Sequence, residues 1–522
     1  MDKKRSKFLL IVIYLCFLTV LARLFYWQVI KGSQLHEQAI AQIYKLEKIL
    51  PRQGQVLSSD GYPLSLDYSY YRLALYKPNF QTDLDTILQE ITNIKPEFAT
   101  QNAKLLEKFR EPNQKWLEFL GEFTTSEKNQ LATISGTNFQ ARQKRYYPED
   151  TLAIDLILGL ERFYKRQLSG QVGFKRNVID ATGSQLLTKK NWQKSEIDGQ
   201  DVPTSLHRQV QYLVENTLKQ GLVIYQADSA SAIILEPKSG QILAMASVEA
   251  SPSAFSKVKN ITHLFEPGSI FKPLVMTAAL DSGAINSNWI CTRCNQARVI
   301  GEDSINNWDK QFHPDSSLKD VITNSDNIGM SYIISHLGLD KFLDYYQKLK
   351  LNQKTGVELP GESVSPLKTY WSEIDLATAS FGQGIALNQL QMLQAFNSIA
   401  NDGLLVNAHL NTNHQSQSSR VFSEKSTNTI KEILAYAVDH SPVAKLKSKD
   451  MDSVCAKSGT AQVAVAGKYG DNTIGSYIGF YPCINPKYTM IVTISNAQTS
   501  QWGSSTAAPI WFELASHLNR LL

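Results

Sequence analysis

Cysteine is scarce in this chain, with five residues in 522, at positions 16, 291, 294, 455 and 483. Such scattered positions do not form the disulfide framework of a small secreted scaffold. Cys291 and Cys294 have the spacing of half a zinc site, but no second Cys or His pair follows at ligand spacing. The two residues therefore form a local disulfide or remain free thiols. We expect neither a metal nor another cofactor.

The chain also lacks a strong excess of charge. Its 53 Lys and Arg residues nearly balance 48 Asp and Glu residues, which leaves a formal net charge of +5. The basic residues form no long run, so no nucleic-acid partner is expected. No internal repeat or low-complexity tract is visible. With 43% apolar residues, the chain has room for about three domains with large cores.

Long apolar runs are absent except at the N-terminus. Residues 8–30 are apolar apart from Arg23 and a few uncharged polar residues, and they are long enough to span a hydrocarbon core of about 30 Å. The basic tail at 1–7 should stay in the cytoplasm by the positive-inside rule. A cleaved signal peptide is the alternative, but no small-residue cleavage site follows. We predict a single-pass transmembrane helix at 8–30 in the cell membrane, with the rest of the chain extracytoplasmic.

Residues 31–205 carry signals of structure but no recognisable chemistry. Helical periodicity continues to residue 50, which predicts a stalk above the membrane. Residues 51–76 alternate like two strands around a Ser-Ser-Asp-Gly turn and predict a β-hairpin. Residues 79–143 are polar with helical spacing. Residues 147–205 have the pattern of strands and loops, with glycines at the turns.

From residue 206 onward, helical and strand patterns alternate. Two apolar strands at 232–236 and 241–246 flank a four-residue turn and predict a hairpin. Strand patterns return at 475–481 and 488–495. Strands at both ends with helices between them predict one antiparallel sheet with helices packed against it, an α+β fold. Helical patterns cover residues 209–219, 341–348, 388–400, 427–438 and 510–522.

A nucleophile candidate lies where a loop meets a buried helix. A Pro-Gly pair at 267–268 ends the loop, and the apolar run 273–280 predicts a helix whose first turn carries Ser269 and Lys272. Three residues apart on a helix, the two side chains share a face. A serine needs an adjacent base, and a lysine in a dry cleft near other cations is neutral enough to serve. The helix start also offers free backbone N–H groups to an oxyanion.

A lone Ser-x-x-Lys pattern recurs by chance, and its ordinary explanation is a helix start with a surface lysine. Here two further motifs follow in order. Ser325-Asp326-Asn327 begins 56 residues after Ser269, and Lys457-Ser458-Gly459-Thr460 begins 132 residues after Ser325. The ordered trio is that of penicillin-binding proteins and serine β-lactamases, with Ser458 where threonine is usual. The substitution keeps the hydroxyl group.

With these motifs the chain resembles a class B penicillin-binding protein, an anchored D,D-transpeptidase of peptidoglycan synthesis. The resemblance implies an α+β transpeptidase domain, like that of penicillin-binding proteins and serine β-lactamases, at 206–522. A stalk and mixed pedestal domain at 31–205 would precede it, after the transmembrane helix. Outside the three motifs, the likeness rests on Arg52-Gln53-Gly54, Gly159-Leu160-Glu161, Leu235-Glu236-Pro237-Lys238-Ser239-Gly240, Phe381-Gly382-Gln383-Gly384 and Ala400-Asn401-Asp402-Gly403.

The resemblance also assigns catalytic roles. Ser269 would attack the carbonyl between two terminal D-alanines of a peptidoglycan stem peptide, forming an acyl-enzyme, and β-lactams would acylate the same serine. Lys272 would accept the serine proton. Ser325 would relay a proton toward the leaving amine, and Asn327 would hold the substrate amide. Lys457 would supply a second positive charge.

Substrate binding would fall to the rest of the third motif. Ser458 and Thr460 would bind the substrate carboxylate, and Gly459 would let the peptide approach the strand edge. Backbone N–H groups of Ser269 and Thr460 would form the oxyanion hole.

Several residues compete with these assignments. Lys354-Thr355-Gly356 matches the usual third motif more literally, but it begins only 29 residues after Ser325 and leads into a turn. We favour Lys457, since it precedes the closing strands, and interpret Lys354 as a loop residue. His263, His313 and Asp315 could be drafted into a Ser/His arrangement. Nothing in the sequence fixes their geometry, and ordinary polar roles are expected.

Two other functions share the motifs. A β-lactamase or membrane-bound β-lactam sensor uses the same trio, but such proteins lack the long region 31–205. A non-catalytic scaffold of cell-wall assembly could keep the fold, but no catalytic side chain is missing here. Roles in division and in elongation both remain open.

The resemblance implies an enzyme that only cross-links, so a membrane-embedded glycosyltransferase is the expected partner, with other cell-wall assembly proteins. Arg23, inside the predicted span, either snorkels to the headgroups or faces such a partner.

Overall fold

The computed structural model describes residues 3–179, 185–188, 191–251, 258–414, 416–465 and 468–522. The chain divides into two compact units. The anchor unit comprises Met1–Gly54 and Arg166–Gln200, and the catalytic unit comprises Gln55–Lys165 and Asp201–Leu522.

The α-helices in these described ranges are, in chain order, α1 (Lys3–Phe25), α2 (Gly32–Ile43), α3 (Leu84–Ile94), α4 (Glu97–Gln101), α5 (Ala103–Phe109), α6 (Thr125–Leu131), α7 (Ile154–Phe163), α8 (Lys165–Ser169), α9 (Arg208–Tyr225), α10 (Lys259–Thr262), α11 (Lys272–Asp281), α12 (Leu318–Thr323), α13 (Asn327–Leu337), α14 (Leu339–Lys348), α15 (Glu373–Ala379), α16 (Gln389–Ala400), α17 (Glu424–Asp439) and α18 (Ala507–Leu521). The strands are β1 (Tyr44–Ile49), β2 (Val56–Leu57), β3 (Pro63–Tyr76), β4 (Trp116–Glu118), β5 (Thr137–Tyr146), β6 (Gly173–Ile179), β7 (Gln185–Leu186), β8 (Trp192–Lys194), β9 (Val202–Pro203), β10 (Ser229–Leu235), β11 (Ile242–Glu249), β12 (Leu264–Phe265), β13 (Ile290–Cys291), β14 (Arg298–Ile300), β15 (Asp303–Ile305), β16 (Ser316–Ser317), β17 (Leu387–Asn388), β18 (Leu404–Val406), β19 (Ser418–Arg420), β20 (Cys455–Val465), β21 (Lys468–Tyr481) and β22 (Tyr488–Ser495).

The anchor unit begins with the apolar helix. Helix α1 continues as a π-helical turn at Tyr26–Ile30, and the stretch Lys4–Ile30 is long and apolar enough to cross a membrane. Helix α2 ends at Ile43, where β1 begins, so the prediction of a helical stalk to residue 50 is wrong for its last seven residues. Six of them, Tyr44–Ile49, pair antiparallel with β6, and this strand pairing overrides their helical spacing. Strands β7 and β8 also pair with β6.

The first part of the catalytic unit packs β3, β4 and β5 against helices α3 to α6. The predicted hairpin is confirmed by the antiparallel pairing of Val56 with Ser65. Within 79–143 the helical prediction is incomplete, because β4 and β5 also lie there. Strand β5 is mostly exposed and pairs along β3. Its polar sequence lacks the apolar alternation that signals a half-buried strand.

A five-stranded antiparallel sheet forms the core of the part that follows residue 206, in the order β11-β10-β22-β21-β20. The hairpin of β10 and β11 is as the sequence predicted. Helices α9 and α18 pack on one face through buried residues such as Val214 and Trp511. The predicted α+β arrangement of one antiparallel sheet with packed helices is confirmed.

Helix α16 also packs against this sheet, and every one of its residues is buried. Its polar side chains are therefore paired: Gln391 donates to the carbonyls of Leu351 and Gln353, and Asn397 donates to that of Pro237. Buried amides need such partners. These hydrogen bonds allow α16 to be buried along its whole length.

Candidate active site

Ser269 lies in a 3-10 turn at Gly268–Phe271, directly before α11, and Lys272 is the first residue of that helix. The sequence predicted both residues in the first turn of one α-helix. The 3-10 turn serves the same end, because it has about three residues per turn and places side chains three apart on one side.

Glycine at 268 lets this turn approach the sheet. Gly268 has a φ of 59°, and a Cβ there would lie 3.0 Å from the carbonyl oxygen of Thr460. The Gly268 N–H donates to the carbonyl of Gly382, 3.2 Å away. A Cβ on Gly382 would come within 2.3 Å of the Gly268 oxygen. The Phe381–Gly384 motif therefore supports the serine turn from behind.

The hydroxyl of Ser325 joins the other polar groups of the site. Its Oγ donates to Ser269 Oγ at 2.9 Å and accepts from Lys272 Nζ and from Lys457 Nζ, each at 3.2 Å. Lys272 Nζ also donates to the Ser325 carbonyl at 2.6 Å and to Asn327 Oδ1 at 2.8 Å. One hydroxyl thus contacts the candidate nucleophile and both candidate amines.

Ser325 reaches this position through an unusual backbone. Its φ is 54°, in the left-handed region, where a non-glycine residue costs about 1–3 kcal/mol. Asp326 follows as the N-cap of α13 and accepts from the Gly329 N–H at 2.8 Å. The backbone N–H of Asn327 donates to Asn307 Oδ1 at 2.8 Å. The capped helix holds the strained residue, so that both its carbonyl and its hydroxyl face Lys272.

Burial shapes the electrostatics of the two lysines. Lys272 is fully buried, and its burial, together with the charge of Lys457, holds the pKa of its amine well below its usual range. The carboxylate of Asp326 opposes this shift. Lys457 is 4% exposed, and burial lowers the pKa of its amine to about 7. A lowered pKa makes the neutral, proton-accepting form of a buried lysine amine such as that of Lys272 more available.

Strand β20 brings the third motif to the cleft. It is the last strand of its sheet, paired with β21 in the described part of the chain, and carries Lys457 through Thr460. Lys457 Nζ donates to the Ser458 carbonyl at 2.9 Å. A Cβ on Gly459 would lie 2.9 Å from the Ile270 side chain, so glycine allows β20 to pack against the serine turn. Thr460 Oγ1 accepts from the Gly503 N–H at 3.0 Å.

These groups open into a cleft of about 580 Å³. Ser269, Ser325 and Asn327 line it together with Lys457, Ser458, Gly459 and Thr460, while Lys272 lies buried behind them. At its mouth, Trp308 and Trp502 meet edge to face with ring centroids 5.1 Å apart. Sequence reasoning missed this aromatic pair, because the two residues are 194 positions apart and belong to no motif.

The competing residues lie elsewhere. Lys354 is exposed, and the backbone N–H and hydroxyl of Thr355 both donate to the Glu362 carboxylate. His263 lines a smaller cavity of about 180 Å³. His313 lies 3.5 Å from Asp309. The cleft is lined by none of the competing residues Lys354, His263, His313 and Asp315.

Two disulfides are present in the described residues. Cys291 and Cys294 are bonded to each other, which is one of the two alternatives left open by the sequence. Cys455 on β20 is bonded to Cys483, a pair that the sequence analysis missed, because the two residues are 28 positions apart in the sequence. The described residues contain no group of three or more His, Cys, Asp and Glu that could hold a metal ion.

Comparison with known proteins gives consistent matches. Residues 230–515 match the family described as "Penicillin binding protein transpeptidase domain". The chain is 26% identical to the "Probable peptidoglycan D,D-transpeptidase PenA" of Neisseria meningitidis, over 97% of this chain and 90% of that protein. It is 27% identical to the "Probable peptidoglycan D,D-transpeptidase PbpC" of Pseudomonas aeruginosa, over 100% and 96%. The crystal structure of Penicillin Binding Protein 2X from Streptococcus thermophilus superposes with a TM-score of 0.77 at 22% identity, covering 90% of this chain and 80% of that one.

Proposed function

The chain belongs to the penicillin-binding protein transpeptidase family and is a peptidoglycan D,D-transpeptidase of cell-wall synthesis, and from that premise we propose which residues carry its reaction. Ser269 is the nucleophile, Lys272 its base, and Ser325, Asn327 and Lys457 complete the catalytic group. The observation that carries the proposal is the Ser325 hydroxyl, which contacts Ser269 and both lysine amines.

In the first half of the reaction, Ser269 Oγ bonds to the carbonyl carbon of the penultimate D-alanine of a stem peptide. The peptide bond to the terminal D-alanine breaks. Lys272 takes the serine proton, and Ser325 passes a proton to the leaving nitrogen, so that D-alanine departs as a free amine. In the second half, an amine of a neighbouring stem peptide attacks the ester and Ser269 regains its proton.

The lowered pKa of Lys272 supports its role as base. A neutral amine has a lone pair to accept a proton, and burial beside Lys457 favours that neutral form. Its Nζ also lies within 3.2 Å of Ser325 Oγ, which in turn lies 2.9 Å from Ser269 Oγ. The proton therefore has a hydrogen-bonded route between the nucleophile and the base.

We assign substrate binding to the third motif. The hydroxyls of Ser458 and Thr460 and the charge of Lys457 bind the terminal carboxylate. Backbone N–H groups of Ser269 and Thr460 form the oxyanion hole, where one lost donor costs about 100-fold or more in rate. The position of β20 at the end of its sheet supports binding of the stem peptide as an added strand, which Gly459 would leave room for.

The rest of the assignment concerns the membrane. The N-terminal apolar helix indicates a membrane anchor. We infer that its basic tail is cytoplasmic and the catalytic unit extracytoplasmic, with a pedestal at 31–205 and a transpeptidase domain at 206–522. No second catalytic motif was found in 31–205, which supports a separate glycosyltransferase as the partner that polymerises glycan strands, alongside other cell-wall assembly proteins.

Release of D-alanine from a synthetic stem pentapeptide, measured with the purified full-length chain, tests the proposal. We expect release by the native chain, none by Ser269→Ala, and a thermal midpoint of the variant close to the native one. Benzylpenicillin should acylate the native chain and leave it slowly. Turnover of penicillin within seconds would instead make the chain a β-lactamase, and full activity of Ser269→Ala would refute the assigned nucleophile.

A further inference from the structure

Exposed apolar side chains concentrate in the part of the anchor unit outside the apolar helix. Residues 31–54 and 166–200, 59 residues in all, expose ten large apolar side chains at described positions. The catalytic unit has 433 residues and exposes only eighteen at its described positions. Water-facing surfaces rarely carry such a density of apolar groups without a partner. The ten are Leu35, Ile40, Ile43, Leu46, Leu50, Val172, Leu186, Leu187, Trp192 and Ile197.

Strand register places two of these leucines at one end of the small sheet. Strand β1 starts at Tyr44, directly after α2, and Tyr44 pairs with Val178. Val178 in turn pairs with Leu186 on β7. Leu186 and Leu187 therefore lie at the end where the chain arrives from the apolar helix. Leu187 is 95% exposed.

A tryptophan lies near the same end. The guanidinium of Arg176 lies 4.8 Å from the ring centre of Tyr44 and 5.9 Å from that of Trp192. Leu46 and Trp192 flank Arg176 on the two neighbouring strands. Both are about half exposed or more, at 60% and 49%. Tryptophan beside basic side chains is typical of a membrane–water interface.

The same two segments of the sequence carry a surplus of positive charge. Residues 31–54 and 166–200 contain ten Lys and Arg against five Asp and Glu, a surplus of five that equals the net charge of the whole chain. Basic residues close to a bilayer are attracted to anionic lipid headgroups. Apart from the N-terminal tail and Arg23, the excess positive charge of the chain therefore lies in these two segments.

Contact of the sheet end with the headgroups requires an inclined α2. Its 12 residues would hold the sheet about 18 Å above the apolar helix if α2 stood upright. The headgroup layer is only about 5–7 Å thick, so α2 must lie inclined on the surface for the sheet end to reach it. Lys31 interrupts the helix between α1 and α2, with φ −97° and ψ −2°, and Leu35, Ile40 and Ile43 of α2 are exposed for such contact.

We propose that the apolar end of this sheet, formed by Leu46, Leu186, Leu187 and Trp192, docks on the surface of an anionic phospholipid bilayer, with α2 lying along the headgroups. This docking rests on the apolar helix being a membrane anchor, but not on the catalytic assignments. It would fix the height at which the chain leaves the membrane. A protein bound beside the span is the competing occupant.

Site-specific fluorescence in nanodiscs tests the proposal. The full-length chain carrying Cys16→Ser and Leu187→Cys is labelled with the environment-sensitive dye NBD under non-reducing conditions. Tyr370→Cys, at a site of the catalytic unit that is 78% exposed, serves as the matched control. The nanodiscs contain phosphatidylglycerol, phosphatidylcholine and a trace of phosphatidylcholine spin-labelled at the headgroup.

We expect headgroup quenching at least about threefold stronger at 187 than at 370, and weaker when phosphatidylglycerol is omitted or about 0.5 M salt is added. Equal quenching at both sites would overturn the proposal. The proposal would also be overturned if neither site were quenched in nanodiscs and the emission at 187 shifted only after a second membrane protein was added. That result would identify a protein as the occupant. Penicillin acylation is measured on the same samples and should be unchanged, so that failure of docking is distinguishable from failure of the catalytic assignment.

Discussion

The lysines of the cleft and those of the anchor unit place the same side chain in opposite environments. Lys272 and Lys457 are at most 4% exposed, and both donate a hydrogen bond to the Ser325 hydroxyl. The pKa of each amine is lowered. Lys48 and Lys194 of the anchor unit are exposed. Burial lowers the pKa of a lysine amine and so favours its neutral, basic form, whereas an exposed lysine remains a hydrated positive charge. The environment, and not the residue type, distinguishes the two candidate catalytic lysines from those on the surface.

The largest expected effect is at Lys272. Lys272→Ala should slow acylation by penicillin about 1,000-fold or more, because nucleophile and base act as a unit. Lys272→Arg carries a permanent positive charge and supplies no base, and we expect a comparable loss. Stopped-flow measurement of acylation compares the three proteins. An arginine variant close to the native rate would show that Lys272 acts through its charge alone.

The two candidate third motifs also offer a buried lysine, Lys457, and an exposed one, Lys354, for comparison. Lys457→Ala should reduce the acylation rate at least about 10-fold, because it removes a buried amine in contact with Ser325. Lys354→Ala, at an exposed lysine, should leave the rate within about twofold. Acylation by a fluorescent penicillin measures both. If Lys354→Ala slowed acylation more than Lys457→Ala, the assignment of substrate binding to β20 would be wrong.

The pH dependence distinguishes the two buried lysines. Lys272 must be neutral to accept a proton, so acylation should rise with pH through its lowered pKa. If Lys457 acts as a cation, acylation should fall again as its amine loses its proton above about pH 7. Lys457→Arg, which stays charged, should lose this alkaline limb. A native profile that stays flat from pH 7 to 9 would exclude a cationic role for Lys457.

The smallest expected effect concerns the apolar helix. Replacing residues 8–30 with an unrelated single-span helix should preserve anchoring and penicillin acylation, since the cleft lies in the other unit. It should weaken co-purification with the glycosyltransferase a few-fold if Arg23 faces that partner. If the chimera and the native chain recovered equal amounts of the partner, the helix would serve only as an anchor.

The parts of the molecule that the sequence predicted are those with local signals. The hairpin of β10 and β11 and the buried helix after Ser269 follow from periodicity and turns. Strand β5 could not be predicted, because its side chains are mostly polar and its partner β3 supplies the ladder. The end of α2 at Ile43 depends likewise on pairing with β6.

In the site, the three motifs identified the polar residues that converge around Ser325, but not how they meet. The left-handed backbone of Ser325 has no signal in the sequence, since Ser-Asp-Asn is compatible with many turns. The contact between Trp308 and Trp502 and the disulfide between Cys455 and Cys483 join distant segments. Such contacts arise only once the sheet has assembled.

The central claim, that Ser269 is the nucleophile, is tested most directly by mapping the penicillin adduct on the native chain. Intact-protein mass spectrometry should show one penicilloyl group per chain, and fragmentation of the peptide containing residues 265–273 should place it on Ser269. An adduct on any other residue, or none under conditions where the chain is folded, would contradict the account.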